Sequence, residues 1–121
     1  MEIYRFAKDS GKKITQYNSD FVMSRVIRTE GGVHIGAMYL EKDGIIGYHQ
    51  ATTPQLLLII SGEGFARGES EEYIMVRPGD AVFWTKGEWH ETQTDTALTA
   101  IVIESENLDP SSFMPNKSEI I

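Results

Sequence analysis

Short runs rich in Val, Ile, Thr, Tyr, Phe and Trp alternate along this chain with polar turn formers. These cluster at Glu30-Gly31-Gly32, Lys42-Asp43-Gly44, Ser61-Gly62-Glu63-Gly64, Gly68-Glu69-Ser70, Arg77-Pro78-Gly79-Asp80, Lys86-Gly87 and Thr94-Asp95. Apolar, β-branched runs bounded by such clusters read as strands joined by tight turns. No window holds a helical period: 21–29 alternates only loosely, 33–40 is strand-like, and 97–104 is mostly apolar and β-branched. The pattern predicts an all-β chain, an antiparallel sandwich or barrel whose helices are at most short.

The run 55–61 is the most telling strand. Side chains alternate across a strand, so Gln55, Leu57 and Ile59 share one face while Leu56, Leu58 and Ile60 share the other. Both faces are apolar, which an antiparallel sheet with one solvated face does not permit. Something must cover the second face. A second subunit is the expected cover, giving a homodimer; the N-terminal strands within 1–31, in cis or exchanged between subunits, are the alternative.

The length of 121 residues suits one domain with one core. The expected division is 1–31 as N-terminal strands, 32–105 as the barrel, and 106–121, broken by Pro110 and Pro115, as a loose or docked tail. A formal charge of -7 argues against nucleic acid or an anionic membrane as partner. The longest strongly apolar run, 56–60, is far too short to span a bilayer, and the first residues lack the apolar stretch of a signal peptide, so a cytoplasmic location is expected. The chain has no cysteine, which removes disulfides, thiolate metal sites and cysteine nucleophiles; no Gly-x-Ser-x-Gly elbow is present either.

Two stretches carry chemistry. One runs from Gly44 through His49, Ala51 and Gln55 to Gly62, the other from Gly79 through Thr85 and Gly87 to His90 and Thr94. Together they resemble the two-part signature of the cupin family. The resemblance places the first motif's two histidines at His49 and Ala51, its glutamate at Gln55 and its closing glycine at Gly62. The opening glycine would fall at Asp43, one position before Gly44. In the second motif Gly79, Gly87 and His90 match, whereas Thr85 stands for a proline and Thr94 for an asparagine. The resemblance implies an antiparallel double-stranded β-helix, the jelly-roll or cupin barrel, over roughly 33–104. It also implies a divalent metal, iron, manganese, zinc or nickel, held at His49, Gln55 and His90.

Neutral imidazoles from adjacent strands can converge on one ion. A glutamine at 55 lacks the charge of a carboxylate and Ala51 has no donor, so the two-histidine, one-carboxylate set of non-heme iron oxygenases is incomplete. Glu88 shares strand parity with His90 and is a further pocket candidate, as are the aromatic residues Tyr48, Trp84 and Trp89 that flank the histidines. The plainer reading makes Trp84 barrel core, Trp89 a rim contact, and both histidines hydrogen-bonded without an ion. His34, outside either motif, reads as a surface or edge histidine. Three functions fit: a single-domain cupin binding a small molecule with a weakly held divalent metal; a metal-dependent enzyme such as a dioxygenase or isomerase; or a metal-free structural or sensing module.

Overall fold

A computed structural model describes residues 1–117 of the chain. Among the described residues nine strands form in order: β1 (Glu2–Arg5), β2 (Lys12–Ile14), β3 (Phe21–Met23), β4 (His34–Leu40), β5 (Ile45–Gln50), β6 (Gln55–Arg67), β7 (Ile74–Val76), β8 (Asp80–Trp84) and β9 (Trp89–Glu104). The helical elements among them are three short 3-10 turns. Seven strands make one antiparallel sheet in the order β1-β8-β6-β9-β4, with β5 added along β9 and β7 along β6, while β2 and β3 pair as a separate hairpin. No helix among the described residues is long and apolar enough to cross a membrane.

The sheet closes because β6 and β9 are long enough to bend. Their ladder runs from Gln55↔Glu104 to Arg67↔Glu91, with irregularities between Ile59 and Ser61 and between Glu63 and Phe65. Gly62 makes the first bend possible: its φ is 78°, and a Cβ there would stand 2.1 Å from the Ala97 carbonyl oxygen. Beyond the bend β6 pairs with β7, and β9 with β5. The two ends of β6 meet again at Trp84, which lies in register with Gln55 and donates its indole N–H to the Arg67 carbonyl at 3.2 Å.

Closure sorts the strand faces. Leu57, Ile59, Ala66, Val76, Val82, Trp84, Leu98, Ala100 and Val102 pack together as the barrel interior. On the other face Leu56, Leu58, Phe83 and Ile103 pack with Tyr4 and Met114, and Phe6, Val26, Ile27 and Leu108 complete the layer. Within the single chain, the second apolar face of β6 is therefore covered by the chain's own N-terminal and C-terminal segments. Each fully buried Leu or Ile in this layer contributes roughly 1.5–3 kcal/mol, a sufficient reason for the termini to fold back. Ile60 departs from the alternation: the irregularity after Ile59 leaves it 47% exposed instead of sharing the covered face of Leu56 and Leu58.

β1 pairs with β8 of the same chain, ahead of the span 32–105. Residues up to 117 dock through a Tyr4↔Asn116 bridge and an Arg5 N–H donated to the Pro115 carbonyl. Asp80 fastens both ends. Fully buried, its carboxylate accepts from Arg5 Nη1 at 2.9 Å, Lys117 Nζ at 3.1 Å and the Arg77 backbone N–H at 3.0 Å.

Candidate functional site at the barrel mouth

His49 and His90 are direct partners in the β5–β9 register. Their rings lie 4.4 Å apart between centroids, and the Trp84 indole stacks on His90 at the same separation. The turn before β9 fixes this geometry. Gly87, at φ 86°, donates its N–H to the Ala51 carbonyl; Ala51 donates to the Glu88 carbonyl; and the Gln50 amide donates to the Gly87 carbonyl, each at 2.9 Å. The segment at 50–51 is thereby sewn to the segment at 87–88, just beside the paired histidines.

The hydrogen bonds also decide the tautomers. His49 Nδ1 lies 2.6 Å from the Gly47 carbonyl oxygen, and His90 Nδ1 lies 3.3 Å from that of Glu88. A carbonyl can only accept, so each Nδ1 carries a proton, and in the neutral ring the lone pair lies on Nε2. This is the way metal-binding histidines are oriented by backbone partners. His49 is exposed, but His90 is only 1% exposed and its Nε2 has no hydrogen-bond partner. Burial depresses the His90 pKa, the neighbouring His49 lowers it further, and the bond to the Glu88 carbonyl opposes both only in part. The ring is thus a neutral imidazole with an unused acceptor. The other such buried orphan among the described residues is Thr53 Oγ1, in the loop between His49 and Gln55.

Gln55 is half-buried and, by its parity with Leu57 and Ile59, faces the interior beside Trp84. Ala51 is buried and offers a methyl group. The Glu88 carboxylate is already engaged: one oxygen accepts from the Thr85 N–H at 3.0 Å and the other pairs with the Met1 amino group at 2.6 Å. What Glu88 gives the site is its backbone carbonyl. Tyr48 and Trp89 stack on each other at 5.4 Å, away from the interior, because Trp89 has the parity opposite to His90 and the β5 irregularity turns Tyr48 the same way. There they border the Arg67 guanidinium, which lies 4.2 Å over Tyr48 and bonds Glu91, itself also held by the Tyr73 hydroxyl. Among the described residues no three His, Cys, Asp or Glu side chains are gathered closely enough to hold a metal ion.

Two residues at the mouth lie outside the motifs. Glu104 is in register with both Gln55 and His34, and its Oε1 lies 3.8 Å from His34 Nδ1. Parity turns all three inward, since His34 alternates with Met38 and Leu40, and Glu104 with Ala100 and Val102, whose side chains pack in the interior. His34 does stand on an edge strand and is exposed, as its sequence context suggests. The alternation of 98–104 was the available signal for Glu104; its register with Gln55 was not visible in the chain. The motif departures also have local explanations. Asp43, at the position of the opening glycine, adopts φ 64°, a conformation that aspartate tolerates better than most residues. Thr94, at the asparagine position, donates to the Glu63 carbonyl at 2.7 Å and accepts from the Thr96 N–H.

A groove of about 780 Å³ lies elsewhere, between the β2–β3 hairpin and Phe113, but its lining contains no histidine or carboxylate.

No protein-family model matches the sequence, and no curated protein matches it. Solved structures do. A cupin superfamily protein from Desulfitobacterium hafniense superposes with a TM-score of 0.59 at 14% identity, over 69% of this chain and 75% of that one. A cupin-like protein from Thermotoga maritima gives 0.58 at 20% identity, over 61% and 57%. A protein from the same organism described as a predicted oxalate decarboxylase gives 0.53 at 22% identity, over 57% and 62%. The rolled antiparallel sheet, the motif glycines at its bends, the inward pair of histidines and these superpositions agree: the chain has the cupin fold.

Proposed function

We propose that the barrel mouth binds a small molecule and holds a divalent cation weakly, through Nε2 of His49 and His90 with the Gln55 carbonyl oxygen as a neutral third donor. The observation that carries this reading is the buried, unpartnered Nε2 of His90. Burying an acceptor without a partner costs about 1–3 kcal/mol, and a ligand or ion in the mouth would recover that cost. A bound ion would supply Lewis acidity toward an oxygen of the small molecule. The donor set falls short of an enzyme's. One solved relative is described as a predicted oxalate decarboxylase, but Ala51 and Gln55 replace two of the four ligands that the family resemblance implies, and a neutral amide does not offset the charge of a divalent ion.

Elemental analysis of tag-free protein, purified without chelator, tests the proposal. Substoichiometric metal is expected, with none retained by His90→Ala. Stoichiometric iron, manganese, zinc or nickel surviving purification would refute weak binding and favour a metalloenzyme; complete indifference of both proteins to added metal would remove the ion from the site.

A further inference from the structure

The carboxylate missing from position 55 has a neighbour of the right kind. We infer that Glu104 is the anionic ligand of this site and that, with His49 and His90, it forms a two-histidine, one-carboxylate set for a divalent cation. The inference rests on the proposed cation site and names the residue that completes it.

Four observations support it. Gln55 and Glu104 are direct cross-strand partners and share the inward face. Such partners carry their Cβ atoms about 4.5–5.5 Å apart, so a carboxylate at 104 starts beside the place where one at 55 would stand. The other acids near the histidines are committed elsewhere: Glu88 to Thr85 and the Met1 amine, Glu91 to Arg67 and Tyr73 on the outer side. Glu104 is not so held. Its ion pair with His34 spans 3.8 Å, longer than a hydrogen bond, and the His34 side chain is 81% exposed, so water screens the attraction. Finally, Trp84, the other cross-strand partner of Gln55, stacks on the His90 ring at 4.4 Å, so the Gln55–Glu104 pair stands on the histidine side of the mouth.

In the structure described, Glu104 faces His34, and no three such groups are yet gathered. Cation binding requires the Glu104 side chain to leave His34 and turn toward the two Nε2 lone pairs. His34 then acts as a resting partner that competes with the ion. The consequence is specific: removing His34 should help binding, whereas removing either motif histidine should destroy it.

Calorimetric titration of Ni²⁺ into metal-stripped, tag-free protein tests this, with the visible absorption of bound Co²⁺ as an independent report of ligand number. Wild type should take up one equivalent. Glu104→Gln should weaken binding at least about tenfold and change the Co²⁺ spectrum, His34→Ala should equal or exceed wild type, and His90→Ala should show no uptake. Restoring a carboxylate across the strand, in the double variant Gln55→Glu with Glu104→Gln, should recover affinity. Metal-free thermal unfolding of each variant verifies folding, and the double variant decides the matter if Glu104→Gln alone folds poorly. Glu104→Gln binding like wild type while His90→Ala does not bind overturns the role of Glu104 and leaves the histidine site standing. Binding by Gln55→Glu but not by wild type likewise overturns it. No uptake by either defeats the cation site itself.

Discussion

Replacing His90 by leucine should make the metal-free protein more stable. The side chain is buried against Trp84 and its Nε2 has no partner, which costs the folded state about 1–3 kcal/mol. Leucine, similar in volume, removes that cost and keeps the apolar contact with the indole. The loss is one neutral hydrogen bond, from Nδ1 to the Glu88 carbonyl, long at 3.3 Å and therefore near the low end of the roughly 0.5–1.5 kcal/mol such bonds contribute. The Glu88 carbonyl is not orphaned, because it still accepts from the Ala51 N–H at 2.9 Å. The balance is a gain of about 0.5–2 kcal/mol, or roughly 2–8 °C in Tm for a chain of this size. Scanning calorimetry of metal-free protein measures it directly. With Ni²⁺ at about one hundred times its Kd, wild type gains about 2.7 kcal/mol by linkage and the order should reverse. A metal-free His90→Leu protein less stable than wild type by more than about 1 kcal/mol would refute the reasoning, since Nε2 would then have a partner that matters to the fold.

Two other outcomes follow from the geometry. Asp80→Asn should cost about 2–3 kcal/mol in urea unfolding, below the roughly 3–5 kcal/mol of a fully buried broken pair because Arg5 and Lys117 keep partial access to water; hydrogen exchange should rise at residues 1–6 and 114–117, and unchanged exchange there would show that the carboxylate does not fasten the termini. The depressed pKa of His90 sets a pH dependence for metal-free protein: the unfolded imidazole, near its ordinary value of about 6.5, binds a proton before the folded one, so stability is full above that pH and falls as pH drops below it. His90→Leu should flatten this slope, and parallel curves for the two proteins would assign the acid sensitivity to other groups.

The strands and their closure were legible because the turn clusters are dense and the pattern of 55–61 demands two covered faces. His49 and His90 were legible as a pair from motif spacing alone. The pattern of 55–61 did not reveal what covers the second face: Tyr4, Phe6 and Met114 lie far from Leu56 in the chain, and nothing local distinguishes them from contacts with another subunit. The outward turn of Tyr48 was hidden for a different reason. One extra residue in β5 between Ile46 and His49 reverses the facing that simple alternation assigns. Glu88 has the right parity, yet a turn capped by its own side chain engages its carboxylate, and that depends on hydrogen-bond geometry instead of periodicity. Glu104 became visible as a site residue only once its register with Gln55 was known.

β9 is a single strand of sixteen residues that brings His90 to the mouth near its beginning and Glu104 at its end. Each points inward by the alternation of its own regular stretch, 89–93 or 97–104, on either side of an irregularity that sets four steps of β9 against two of β6. Losing or gaining one residue within either regular stretch would swing His90 or Glu104 out of the barrel while leaving every side-chain identity intact. The distance along each stretch is thus a molecular ruler for the site, and chain length within it tolerates less change than composition.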